Sequence, residues 1–222
     1  FEERFAGIIE RSPRLVWERA MPCPCTSLNS QTQQTDPNCA TCSGDGVLRV
    51  GGPLGYTPNE TVIGPLDLQQ KAVQARHNGV VISGFFQSAT HQQTSADTFG
   101  KWFWGEKKVT VRQENRLGYY DRLFNLDSEI PYAQMVDVPD AGPLRLRYVA
   151  LAVTHMIDSA GSRYEQDTHF TIDANGDIVF LFGVGPAAGA QISVRYLTFP
   201  AWVVMEYPHV IRASTRKRKK KQ

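Results

Sequence analysis

Apolar positions near the start of the chain recur at helical spacing. Phe5, Ile8, Ile9, Val16 and Trp17 make a stripe, with Glu2, Glu3 and Glu10 toward the end where a helix dipole favours negative charge. The pattern predicts a helical segment over residues 1–21, with Pro13 opening a second helical stretch and Met21-Pro22 ending it. Residues 22–46 are rich in Ser, Thr, Gln, Asn and Pro and would not hold a shape unaided. Residues 47–50 read as a short strand, which Gly51-Gly52-Pro53 breaks. With Pro53, Pro58 and Pro65, residues 53–70 read as an extended connection.

Beyond that point the period shortens to that of strands. Residues 80–86 form one apolar stretch, Phe103-Trp104 a second, and residues 108–112 alternate. Residues 121–126 are expected to pair with a neighbour, and 127–131 to turn. In residues 145–154, Leu146, Tyr148, Ala150 and Ala152 fall on one face. Residues 170–172 and 178–182 flank Asp173-Ala174-Asn175-Gly176-Asp177, where Asn-Gly predicts a tight reversal. Residues 192–199 and 202–207 complete the β content, and no useful helix is expected after residue 21. The predicted class is mainly β: an N-terminal helical segment (1–21), a cysteine loop (22–50), a body built as an antiparallel sheet or barrel (51–212) and a basic tail (213–222).

Composition is compatible with a folded core, since 41% of the 222 residues are hydrophobic and 21% charged. No apolar run approaches the roughly 20 residues that cross a bilayer, so no membrane partner is expected. Phe1-Glu2-Glu3-Arg4 lacks the basic-then-apolar form of a secretion signal. The net charge of +2 conceals an asymmetry. Arg216, Lys217, Arg218, Lys219, Lys220 and Lys221 hold six of the 24 basic residues, so the other 18 face 22 acidic ones. A mildly acidic body carries a cationic tail, whose expected contact is a polyanion: DNA, or an acidic face on a neighbouring subunit.

All four cysteines lie between positions 23 and 42, as Cys-x-Cys, a polar loop, then Cys-x-x-Cys. Two close pairs, each able to supply two corners of a tetrahedron, predict a zinc site made by Cys23, Cys25, Cys39 and Cys42. Prolines 22, 24 and 37 restrict the backbone beside the ligands, and Gly44 and Gly46 are expected to turn amides toward the sulfurs. The competing arrangement is two disulfides, or free thiols, although Cys23 and Cys25 stand too close for easy mutual bridging. A catalytic zinc keeps a water position, and four thiolates leave none, so the expected role is structural.

No residues announce an enzyme. There is no His-Glu-x-x-His, no phosphate loop with its Lys and no nucleophile elbow. Gly183-Val184-Gly185-Pro186-Ala187-Ala188-Gly189 has the wrong spacing for a dinucleotide loop and joins two strand-like segments, which favours a turn. Histidines 77, 91, 155, 169 and 209 are scattered. A cross-strand pairing of His155 with His169 is conceivable, but a structural, hydrogen-bonded role is the stronger reading.

Three stretches together resemble the neck proteins of tailed bacteriophages, of the head-tail connector or head-closure type. They are a helix expected to run into Cys23-Pro24-Cys25 and then Asp36-Pro37-Asn38-Cys39 with the Cys-x-Gly-x-Gly that ends at Gly46, the segment from Asp167 through Asp173, Gly176 and Phe180 to Tyr196, and Pro200-Ala201-Trp202 onward to Arg212. The resemblance covers about half the chain, residues 10–50 and 165–212, and implies a virion protein assembled in the host cytoplasm. Such a protein would be a subunit in a ring of about six or twelve copies, with portal or adaptor proteins and tail proteins as neighbours and packaged DNA as a possible contact of the tail. Exposed-looking aromatics (Trp102, Phe103, Trp104, Tyr119 and Tyr120) suit interface anchors, though core packing is the plainer role for any one of them. Competing expectations are a baseplate or tail-side virion protein, and a zinc-containing nucleic-acid-binding module. The latter sits poorly with an acidic body in which only Arg14, Arg19 and Arg49 flank the cysteines.

Overall fold

The computed structural model describes Gly7 and residues 11–27, 36–42, 44–51, 65–88, 107–112 and 115–205. Most of the first helical stretch, Trp102, Phe103, Trp104 and the basic tail 213–222 lie outside the described residues.

The chain is mainly β, as expected, but residues 14–22 are a strand and not a helix. Strand β1 (Arg14–Pro22) is the centre of the largest sheet. It pairs antiparallel with β3 (Val80–Ser88) on one side and β5 (Arg122–Asn125) on the other. Strand β4 (Lys107–Val111) extends the sheet beyond β3, and β11 (Ala201–Val203) extends it beyond β5. The physical reason for the departure is two-sided burial. Leu15 and Trp17 enter one core with Ile82 and Leu123, while Val16, pointing the other way, enters a second with Phe124 and Val81. A central strand covered on both faces carries consecutive apolar residues, and such a run imitates one turn of a helical stripe. Each fully buried side chain of this size contributes about 2 kcal/mol.

The sheet curls into a half-barrel. Phe86 on β3 and Trp202 on β11, strands separated by two others, bring their ring centroids to 4.8 Å across the concave side. The opposite face is covered by helix α1 (Leu68–His77), which inserts Ala72 and Val73. This helix corrects the expectation that the extended connection runs to residue 70 and that nothing helical follows residue 21; residues 53–64 of that connection lie outside the described residues. Its start is a capping box in which Asp67 and Gln70 each accept from the other's backbone N–H, and Asn78 ends it in the left-handed region (φ 46°). Only Gln70, Ala72 and Val73 are buried along it, too few to print a helical stripe.

A second core lies beside the half-barrel. Strands β6 (Ile130–Asp137), β10 (Gln191–Thr198) and β7 (Ala152–Asp158) form an antiparallel sheet with β10 in the middle. Ile192, Val194 and Tyr196 of β10 point inward, against Met156 and Leu146. Over them packs the hairpin of β8 (Phe170–Ile172) and β9 (Ile178–Phe180), joined through the predicted Asn175-Gly176 reversal. Gly176 has φ 73°, and a Cβ there would stand 2.4 Å from a Val149 methyl carbon. Burial pushes the Tyr196 hydroxyl up to about 12, and it stays protonated to donate to Gln134 Oε1 at 3.1 Å. The alternation expected over residues 145–154 is partly present in burial, but the strand begins only at Ala152. Leu146 and Ala150 enter this core and Val149 the helix-covered one, so the segment fastens the two cores together. Arg76 at the end of α1 does the same, with an ion pair to Asp177 and a hydrogen bond to the Asn175 carbonyl (2.8 Å).

Among the described residues no helix is long and apolar enough to cross a membrane. The Gly183–Gly189 stretch is a pair of turns joining β9 to β10, as its spacing suggested. His155, on β7, lies opposite Arg195 and not His169, while His169 Nδ1 accepts from the Glu165 amide at 3.0 Å. The cross-strand histidine pair is therefore not formed, and His169 has the structural role.

Candidate metal centre

The second half of β1 leaves the main sheet. At Arg19/Ala20 the pairing register shifts, and residues 19–22 pair instead with β2 (Val47–Gly51). Asp121 holds this bulge. It is 1% exposed and accepts from the Ala20 amide at 2.8 Å, from Trp17 Nε1 at 2.7 Å and from the Gly118 amide. One buried carboxylate thus satisfies the strand where it changes partner.

The redirected hairpin carries the cysteines at its end. Cys23 follows β1 directly, and its amide donates to the Gly46 carbonyl at 2.8 Å. A single 3-10 turn (Pro24–Ser27) presents Cys25. From the other side, a turn around Asp36 and Pro37 presents Cys39 and Cys42. The Asp36 carboxylate accepts from the Asn38 amide at 2.9 Å, and the Asp36 carbonyl from that of Cys39 at 3.1 Å.

The four sulfurs lie within 4.8 Å of one another. Cys23 and Cys39 Sγ are 3.8 Å apart, Cys25 and Cys42 Sγ 3.5 Å, and none of the four is in a disulfide. A disulfide would need about 2.05 Å. Ligands about 2.3 Å from a central zinc, at tetrahedral corners, stand about 3.8 Å from each other. The donor set and its spacing therefore fit a four-coordinate soft-metal site, and the predicted residues are the ones brought together. Cys23, Cys25 and Cys42 are buried, which keeps water from a bound ion.

Backbone amides do face the sulfurs. Amides of Cys42 and Thr41 donate to Cys39 and bring its thiol down to about 6. Burial pushes Cys25 up to about 12, against an Asp36 backbone hydrogen bond. Gly44 and Gly46 make the turn possible, with φ 85° and 69°. A Cβ on Gly44 would come to 3.1 Å from the Pro37 carbonyl oxygen.

The other expected contact residues are less well gathered. Arg216, Lys217, Arg218, Lys219, Lys220 and Lys221 lie outside the described residues. Tyr119 and Tyr120 are 52% and 43% exposed, at the lip of the half-barrel. Two features went unread in the sequence. Asp121 had no signal beyond its place at the head of a strand. Phe182, expected at the end of a strand, is fully exposed in the turn after β9, beside exposed Val179, Leu181 and Val184. No family model and no curated protein matches this chain.

Proposed function

We propose that this chain is a structural assembly protein, in which Cys23, Cys25, Cys39 and Cys42 hold one structural zinc ion, and that it serves as a ring subunit in the neck of a tailed-phage virion. The observation that carries the structural reading is the closed donor set. Four thiols converge at tetrahedral spacing, so a bound ion has no position left for substrate or water. The ion would fasten a polar loop to the hairpin of β1 and β2, and its chemistry there is to hold four thiolates together.

The placement in a virion neck rests on the sequence resemblance, and two features support it. The hairpin of β8 and β9 carries a packed aromatic edge, with Phe170 and Phe180 centroids 6.4 Å apart and Tyr164 against Phe180 at 6.5 Å. Beside that edge, Phe182, Leu181, Val184 and Val179 expose apolar surface on one turn. A subunit in a closed ring needs such a surface, fitted to an unlike face of the next copy. In this reading the basic tail meets an acidic face of a neighbouring subunit or packaged DNA.

The test is assembly. Light scattering of concentrated protein is expected to reveal a closed oligomer, and Phe182→Asp should shift it toward monomer while leaving the thermal unfolding midpoint within a few degrees. A strictly monomeric chain, both in solution and in images of particles that contain it, defeats the ring.

A further inference from the structure

A cleft of about 640 Å³ opens beside the cysteine hairpin. Its walls come from three places in the fold: Arg49 on β2 with Asp45 in the turn before it, Arg122 on β5 below Tyr120, and Arg147 with Tyr148 from the segment that joins the two cores. Positions 49, 122 and 147 are far apart in sequence, and the fold brings three guanidiniums to one cavity where, among the described residues, Asp45 is the one lining carboxylate.

The protein answers part of this charge itself, with Glu18 and Asp121 as well as Asp45 acting on Arg49. Arg49 spends one N–H on the Tyr120 carbonyl, and among the described residues it has no ion pair. Burial, and next the charge of Arg122, press the Arg49 guanidinium below its ordinary value. Arg122 lies against the Phe124 ring (5.8 Å) and stands 3.7 Å from Glu18 Oε2, a buried oxygen with no hydrogen-bond partner among the described residues. Arg147 is exposed, lies 5.7 Å from the Tyr148 ring centre, and has no carboxylate partner among the described residues. Like charges held together at a cavity mouth raise its potential and concentrate anions there.

We propose that this cleft binds a phosphate-bearing ligand. Guanidinium forks match phosphate oxygens in pairs, and Arg147, with no carboxylate partner among the described residues, stands exposed at this cleft beside Arg49 and Arg122. The volume suits a small organic molecule, and the Tyr120 and Tyr148 rings offer flanks for whatever carries the phosphate. The cleft also shares a wall with the metal centre. Pro22, which precedes Cys23, and Gly46, whose carbonyl accepts from the Cys23 amide, both line it.

The site stands independently of the ring, so it can be tested on subunits in any assembly state. Calorimetric titration of the zinc-loaded protein would compare phenyl phosphate with benzoate, which share a ring and differ in anionic group. Phenyl phosphate is expected to bind more tightly than benzoate, and Arg147→Gln to weaken it about tenfold. Arg147 is the right position because its exposure spares the fold, whereas removing Arg122 would strand Glu18. Arg49→Gln, checked for unchanged thermal unfolding, should act in the same direction. A short single-stranded oligonucleotide separates the sources of phosphate. Parallel weakening by Arg147→Gln places the phosphate on a nucleic-acid backbone, and weakening of phenyl phosphate alone places it on a small ester. Benzoate binding as tight as phenyl phosphate, or phenyl phosphate binding untouched by Arg147→Gln, overturns the proposal.

Discussion

Removal of the metal from the four-cysteine cluster is expected to destabilise the protein by about 4 kcal/mol or more, lowering the thermal midpoint by about 10 °C. The estimate follows from linkage: an ion held only by the native arrangement stabilises it in proportion to the logarithm of its excess over the dissociation constant. The segment at stake has little else to hold it. Among the described residues, its small core is Cys23, Cys25 and Cys42, with partly buried Cys39 and Leu48. Cys39→Ser and Cys42→Ser should each reproduce the loss, and zinc added back to chelated wild-type protein should reverse it. Calorimetric scans with and without a strong chelator make the measurement. An unchanged midpoint in protein verified to be metal-free would mean that the cluster carries no stabilising ion.

Asp121→Ala is expected to cost about 3–5 kcal/mol and to loosen the metal site without touching a ligand. Three donors, Trp17 Nε1 and the amides of Ala20 and Gly118, converge on this one carboxylate. Its loss strands them in a buried place, and hydrogen bonds to a charged acceptor are the strong kind. The Ala20 amide sits at the bulge where β1 turns from the main sheet to β2, so disorder there reaches Cys23 three residues on. Denaturant unfolding gives the stability, and competition with a chromophoric chelator gives the zinc affinity. Asp121→Asn should fall between wild type and Asp121→Ala, because an amide oxygen still accepts. A loss below about 1 kcal/mol would show that the bulge holds itself.

What was legible in the sequence is what local chemistry dictates. Four cysteines in a polar loop have few uses, so their gathering into one cluster could be read without a fold. Asn175-Gly176 demanded a left-handed backbone, and the hairpin of β8 and β9 closes there. Strand β10 alternates cleanly because one of its faces is covered and the other is not. Strand β1 misled for the opposite reason, since burial on both faces erases alternation. Helix α1 was hidden because the apolar side chains it buries are only Ala72 and Val73, with polar Gln70 beside them, and its ends are set by Asp67 and Asn78. The arginine cleft and the Asp121 node are products of topology, in which residues remote along the chain meet only after the sheets form.

The claim beneath all of this is that Cys23, Cys25, Cys39 and Cys42 hold one zinc ion by four sulfurs. X-ray absorption at the zinc edge, on protein purified without added metal and paired with elemental analysis, tests it directly. The expected result is one zinc per chain with a single shell of four sulfurs at about 2.3 Å and no nitrogen or oxygen in the first coordination sphere. Metal-free, folded protein with its cysteines joined in disulfides would contradict the account, as would a zinc shell containing an oxygen or nitrogen ligand.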